Sequence, residues 1–294
     1  MLEPFEIESW NGPFAAETRG RAQAALERGA VLYFPHLAFR LANSEMEFLD
    51  GRLTNGKAKN ISLDSSTGKL QGTSAEGERA ARLAAMIERF GAGATKFVGD
   101  LLPNYASVER ARTSYRPVEV EGRAYSVIKD DRLLHIDAFP SRPMQKGRRI
   151  LRFFANVAPA KPDGGGSRRW QVGEPFEDFA KKNAPRMRPH FPGQSWLLGR
   201  LGVTRGRRSA YDEMMLSLHD AAKRDADFQK HSPQTTVEFP PGSCWLVYTD
   251  MVLHAAMAGE FALEQTFHFD VAGMGEPERA PIRVLERLTG KTLG

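Results

Sequence analysis

Cysteine is almost absent: the 294 residues hold one, Cys244, so no disulfide can close within the chain. A disulfide-stapled secreted scaffold is excluded, and the thiol count fits a reducing compartment. Long hydrophobic runs are missing too. The most apolar stretch, CWLVYTDMVLHAAMAG, is broken by Asp250 and His254, short of the about 18 uninterrupted apolar residues of a membrane span. The first residues, MLEPFEIESWNGPFAAE, are acidic and interrupted by proline, unlike a secretory signal. The sequence has no internal repeat or low-complexity tract. It has no zinc-finger, RNP or helix-turn-helix pattern either, so nucleic acid is not the expected partner.

What is present is an ordinary globular composition, 41% hydrophobic and 26% charged, with a net charge of +5. The arginines cluster, at Arg148-Arg149, Arg168-Arg169, and Arg205 with Arg207-Arg208. Such clusters favour an anionic partner. Residues 15–28 read as an amphipathic helix ending at Gly29, followed by the apolar strand AVLYF. From Glu76 to Leu102, Leu83, Met86, Ile87, Phe90, Phe97 and Leu101 recur at helical spacing, and Gly91 and Gly93 are expected to interrupt or bend that helix.

Beyond Pro103 short β-rich runs alternate with turn residues: SVERARTSYRPVEV, YSVIKDDRLLHIDAF, RRILRFFANVAP, TTVEFPPGSCWLVYT and EQTFHFDVAG. A KPDGGGS loop and a helix carrying Tyr211, Met214, Met215 and Leu218 lie within them, and a short helix from about Pro281 to Leu288 closes the chain. The pattern predicts a single α+β domain: mainly helical support over 1–105, an antiparallel β core over 106–274 with an insertion at about 160–232, and a C-terminal helix over 275–294.

Chemistry concentrates in LLHIDAFPSRPMQKGRRILRFFANVAP. On a strand, residues i and i+2 share a face, so His135 and Asp137 project together. An imidazole and a carboxylate side by side are two corners of a 2-His-1-carboxylate facial triad, the donor set of non-haem Fe(II). FPPGSCWLVYTDMVLHAAMAG brings an apolar strand and a short loop to His254, which suits the third corner; His268, in QTFHFDV, is the competing donor. In ILRFFANV, Leu151, Phe153, Ala155 and Val157 form an apolar face, whereas Arg152 and Asn156 lie on the other with Ile150 and Phe154. A guanidinium on a barrel interior can pair with a carboxylate in a two-pronged fashion. ARTSYRP alternates Arg112, Ser114 and Arg116, and SRRWQ sets Arg168 and Arg169 beside Trp170, whose ring could stack on a sugar.

On HID at 135–137 and LHAAMAG at 253–259 the sequence resembles the Fe(II)/2-oxoglutarate-dependent dioxygenases. Through TSYRP, LLHIDAFPSRP, GRRILRFFANV, SRRWQVGEPF and HAAMAGEFALEQTF it resembles, within them, the bacterial 3-deoxy-D-manno-oct-2-ulosonic acid (Kdo) 3-hydroxylases. That resemblance implies a double-stranded β-helix, and an iron held by His135, Asp137 and His254. It implies 2-oxoglutarate and O2 as cosubstrates, with ascorbate supportive, and hydroxylation at C3 of Kdo in the lipopolysaccharide inner core. The implied partner is an anionic Kdo-containing glycolipid, met in the cytoplasm or at the cytoplasmic face of the inner membrane by peripheral contact. Arg116, Arg168, Arg169 and Trp170 are then expected on the sugar side. One departure stands out: many dioxygenases carry a basic residue about ten positions after the distal histidine, and here Gln265 or Thr266 takes that place. The anchor for 2-oxoglutarate is therefore expected elsewhere, with Arg152, Asn156 and Thr266 as its residues. A hydroxylase of another small molecule or of a protein, a cupin-like metalloenzyme without 2-oxoglutarate, and a non-catalytic sugar-binding module remain alternatives.

Overall fold

The computed structural model describes residues 2–105, 108–122, 125–139, 143–162, 164–184 and 208–293. His190, Arg205 and Arg207 lie outside the described residues. Among the described residues eleven strands form two sheets: β1 (Leu2–Pro4), β2 (Val31–Phe34), β3 (Ile61–Asp64), β4 (Lys69–Gln71), β5 (Glu109–Arg116), β6 (Arg149–Asn156), β7 (Arg168–Gly173), β8 (Gln234–Phe239), β9 (Cys244–Tyr248), β10 (His254–Ala258) and β11 (Ala262–Phe269). The larger sheet has the order β1-β2-β9-β6-β11-β5-β3-β4, and the smaller the order β10-β7-β8. Every pairing is antiparallel except β1 with β2. The two sheets face each other as the jelly roll expected from the sequence.

Alternation along the central strands sorts side chains between two cores. Leu151, Phe153 and Ala155 of β6, with Leu246 and Tyr248 of β9, face the helical layer. There α1 (Ala16–Glu27) and α2 (Gly77–Leu101) cover the large sheet. Phe90 and Phe97 of α2 stack on Phe153 with ring centroids 6.2 and 5.3 Å apart. The opposite faces carry Phe154, Trp245, Val247, Trp170, Val172, Val237 and Phe239, an apolar filling between the two sheets.

The helix α2 runs unbroken through both glycines, contrary to the expected interruption. A Cβ on Gly91 would stand 2.6 Å from Thr113 Oγ1 and 2.0 Å from Arg110 Nη2. Gly91 therefore lets the helix press closely on β5; it does not break it. The N-terminal region is less purely helical than expected, since β1 to β4 extend the large sheet at both edges. The insertion also begins later. Residues 168–173 are the middle strand of the small sheet, and the helical part follows as α3 (Phe176–Asn183), α4 (Ala210–Arg224) and α5 (Ala226–His231). In α4, Tyr211, Met215 and Leu218 are buried, as their spacing predicts. The chain closes with α6 (Pro281–Thr289). Among the described residues no helix is long and apolar enough to cross a membrane.

A fully buried ion pair ties the start of β6 to the turn after β9. Arg149 donates to Asp250 at 2.7 and 3.0 Å, and its guanidinium lies 4.0 Å from the centre of the Tyr248 ring. The pair is enclosed on all sides, which suits a charge only when it is matched in this way.

Candidate active site

His135, Asp137 and His254 are buried and converge: one donor atom from each lies within 4.8 Å of the others. The backbone explains how. His135 N donates to His254 O at 3.1 Å and His254 N to His135 O at 2.9 Å, so the two histidines sit opposite each other in an antiparallel bridge. Their rings are 4.7 Å apart between centroids. Asp137 N donates to Thr249 O at 2.7 Å, which ties the next inward-facing residue to the end of β9. Residues 134–137 are extended but outside a regular strand; the i, i+2 argument holds because only local extension is needed.

The edge facing away from β10 is closed by a side chain. Gln229 of α5 accepts from Leu134 N at 2.8 Å and donates to Leu134 O at 2.9 Å, as a neighbouring strand would. From α4, the His219 ring stands edge-on to His135 at 5.5 Å. The sequence does not single out His219, because nothing local tells a helical histidine which way its helix will dock.

The donor set fits a metal ion. His135 Nδ1 lies 2.7 Å from Leu133 O and His254 Nδ1 lies 2.8 Å from Val252 O. A carbonyl can only accept, so each Nδ1 carries the proton and each Nε2 keeps a lone pair for a metal. Burial, with the charges of neighbouring groups, holds the His135 pKa well below its ordinary value, and burial also lowers that of His254. Both imidazoles are thus neutral, as ligands must be. For Asp137, burial alone would raise the pKa. Set against it is chiefly the Arg152 guanidinium, and the carboxylate stays ionised below the usual range. Asp137 Oδ2 is buried and receives no hydrogen bond from the described residues, although Arg152 Nη2 is 2.9 Å away as an ion partner. Two free imidazole nitrogens beside an under-satisfied carboxylate are what a divalent cation would complete. His268 does not join this cluster; its ring packs edge-on against Phe139 at 5.9 Å.

Arg152 lies inside, where its strand face put it. Its Nη1 is 3.1 Å from Glu264 Oε1, and its buried Nε has no acceptor among the described residues. Glu264 also receives Arg116, whose Nε donates at 2.8 Å, and Arg116 Nη1 reaches Asp131 at 3.9 Å. Asp131, Arg116, Glu264, Arg152 and Asp137 thus form an alternating line of charges leading to the metal-binding cluster. Sequence reading missed Glu264 and Asp131. Glu264 was detectable by the argument used for Arg152, since it shares an inward face of β11 with Thr266 and His268.

Five expectations change. Arg116 is committed to Glu264 and Asp131, so its guanidinium is matched within the protein. Trp170 is buried, its ring stacked on His254 at 5.2 Å and 25°, which leaves no face for a sugar. Arg168 is buried and donates to Gly259 O at 3.1 Å. Asn156 spends its amide on Gly166 O and Phe239 O at 2.8 and 2.9 Å and accepts from Ala158 N, so it fastens the loop after β6 and cannot serve a cosubstrate. Arg169 is exposed, but strand alternation turns it to the face opposite Trp170, away from the cluster. Thr266 does face inward, with its hydroxyl 3.3 Å from Glu264 Oε1.

The charged line has an expected acid response. Burial alone would raise the Asp131 pKa, but Arg116 and Lys59, the latter 2.9 Å away, lower it from 3.8 to about 2. A carboxyl with a depressed folded pKa stabilises the fold above its unfolded value, and this contribution is lost as pH falls through the folded one. Asp131→Asn should therefore flatten the decline in thermal midpoint between about pH 4 and pH 2 relative to the parent. An unaltered decline would remove Asp131 from the acid-labile groups.

A double-stranded β-helix presenting two histidines and an aspartate between its sheets defines the non-haem Fe(II)/2-oxoglutarate oxygenase class. Within it, the family model for 3-deoxy-D-manno-oct-2-ulosonic acid (Kdo) hydroxylase matches residues 9–292, and the chain belongs to that family. Among solved structures, the chain is similar to the apo form of KdoO, described as a non-haem Fe(II) alpha-ketoglutarate dependent Kdo hydroxylase. Identity is 44% and the TM-score 0.93, covering 99% of this chain and 97% of that one. KdoO in complex with alpha-ketoglutarate and Fe(III) matches at 43% identity and TM-score 0.93, and its cobalt(II) complex at 44% and 0.94, with the same coverage. No curated protein matches the chain at a significant level.

Proposed function

We propose that this chain hydroxylates C3 of a Kdo residue in the lipopolysaccharide inner core, with Fe(II) held by His135, Asp137 and His254 and with 2-oxoglutarate and O2 as cosubstrates. The observation that carries the reading is the buried His135–Asp137–His254 cluster in a chain whose family match runs almost end to end. When bound, iron with 2-oxoglutarate and O2 supplies an oxidant strong enough to replace a C–H hydrogen by hydroxyl, with succinate and CO2 released. The chain's own work is positional. Leu133 and Val252 carbonyls aim the two imidazoles, and Arg152 steadies Asp137. Arg152, with Thr266 beside it, takes the distal carboxylate of 2-oxoglutarate. The aromatic filling behind His254 keeps water from that side of the metal.

The glycolipid brings acidic groups to a chain of net charge +5, and with no membrane-crossing helix among the described residues the contact with its membrane is peripheral. The single cysteine agrees with work in the cytoplasm or at the cytoplasmic face of the inner membrane. The test is succinate release with Fe(II), ascorbate and 2-oxoglutarate, with and without Kdo-lipid A. Mass spectrometry should find one added oxygen on the octulosonate. Stimulation by an unrelated acceptor, with no oxygen gained by the sugar, would overturn the substrate while leaving the dioxygenase reading standing.

A further inference from the structure

The aromatic residues on the two faces of the large sheet differ in their contact with the metal site. On the helical side one ring cluster is phenylalanine, Phe34, Phe39, Phe90, Phe97 and Phe153 around Trp10, and the buried tyrosines of that core, Tyr105 and Tyr248, pack against Phe269 away from the metal ligands. Phenylalanine is very hard to oxidise. On the metal side the chain of contacts begins at a ligand and runs through easily oxidised rings. Trp170 stacks on His254 at 5.2 Å, and Trp245 stands edge-on to Trp170 at 5.6 Å. Trp245 is directly opposite Tyr33 across the β9–β2 ladder, so the two side chains share a face. Phe239 fills the angle between them, 4.0 Å from Trp245 and 5.9 Å from Tyr33.

The two ends differ in solvent access. Trp170 and Trp245 are buried, and neither indole N–H has an acceptor among the described residues. Tyr33 is half-exposed, and its phenol pairs with the Ser243 hydroxyl near Glu6. An indole radical cation with no proton acceptor keeps its proton and can be reduced again without rearrangement. A phenol gives up its proton on oxidation, which needs a polar, wet neighbourhood. The order from His254 outward, two dry indoles and then a phenol at the surface, follows those requirements.

We propose that Trp170, Trp245 and Tyr33 form an electron relay that discharges the metal centre when O2 is activated with no substrate carbon in reach. The proposal rests on the Fe(II)/2-oxoglutarate reading above. Decarboxylation of 2-oxoglutarate by O2 leaves at the metal an oxidant two electrons above the ferrous state. Trp170 supplies one electron and becomes a radical cation, Trp245 reduces Trp170, and Tyr33 reduces Trp245 while its phenolic proton passes toward Ser243 and solvent. Ascorbate, or a thiol, returns a hydrogen atom to the Tyr33 radical. Two such passages, with two protons taken up at the metal, restore the ferrous centre and release water. The relay spares His135, His254 and the strands around them from oxidation in place.

The experiment incubates the iron-loaded enzyme with 2-oxoglutarate and O2 but without glycolipid, and follows succinate, aromatic radicals by freeze-quench electron paramagnetic resonance, and oxidised residues by peptide mapping. In the parent a tyrosyl radical is expected, with oxidation confined to Tyr33 and suppressed by ascorbate. Tyr33→Phe should replace the tyrosyl signal by a tryptophan radical, shift oxidation inward to Trp245 and Trp170, and shorten the enzyme's substrate-free lifetime several-fold. Its melting temperature and its hydroxylation of Kdo-lipid A should stay at parental values, since Tyr33 touches neither the metal ligands nor Arg152. Trp245→Phe should suppress the tyrosyl signal altogether. Succinate release with no aromatic radical, or with the same scattered damage in parent and Tyr33→Phe, would overturn the relay alone. Absence of succinate under every condition would overturn the dioxygenase reading and the relay with it.

Discussion

Asp137→Ala is expected to abolish tight Fe(II) binding and bring hydroxylation to background while the protein stays folded. The aspartate is the anionic member of the cluster, and two neutral imidazoles alone hold a divalent ion poorly. Its removal also leaves Arg152 with one carboxylate where it had two. Stripping a buried charge of its partner costs about 3–5 kcal/mol, but Glu264 remains beside the guanidinium and the loss of stability should fall short of that. Metal titration, followed by cobalt(II) absorption as a spectroscopic substitute, reads the first effect, and urea unfolding reads the second. His254→Ala should behave likewise, because its backbone bridge to His135 survives the change while the third donor is gone. His268→Ala should keep a full equivalent of metal. The reverse outcome, metal retained without His254 and lost without His268, would exchange the distal ligand.

Arg152→Lys is expected to raise the apparent KM for 2-oxoglutarate by about tenfold or more, the ~1.4 kcal/mol or greater that losing a two-pronged charge-assisted pair costs. Lysine keeps the charge, so Glu264 and Asp137 still see a cation and the fold should hold. What it lacks is the fork, including the buried Nε–H that has no acceptor among the described residues. The kcat at saturating 2-oxoglutarate should change far less than KM, which separates cosubstrate anchoring from damage to the metal site. An unchanged KM together with weaker glycolipid binding would move Arg152 to the substrate side.

The metal-binding cluster was more legible than its surroundings because its logic is local. His135 and Asp137 share a face by two-residue periodicity, and that holds on any extended backbone. His254 was reachable from the turn and apolar strand before it. Helix faces and the apolar side of β6 follow from spacing in the same way. The helix α2 shows where local rules stop: a glycine pair reads as a break, yet the close contact of Gly91 with Thr113 and Arg110 requires a glycine within a continuous helix.

By itself the sequence determined which side chains travel together where a strand face could be read: His135 with Asp137, and Arg152 with Asn156. It did not determine which of two faces the rest of the chain would cover. SRRWQ has charge on both faces, so composition cannot tell inside from outside, and only the packing of the small sheet on Phe154 and Trp245 of the large one turned Trp170 inward beside His254 and Arg169 into solvent. Nor could it assign buried charges to one another. Arg116 meets Glu264 across 148 residues of sequence, a pairing fixed by the register of β5 on β11 and by the cost of leaving either charge unmatched in the interior.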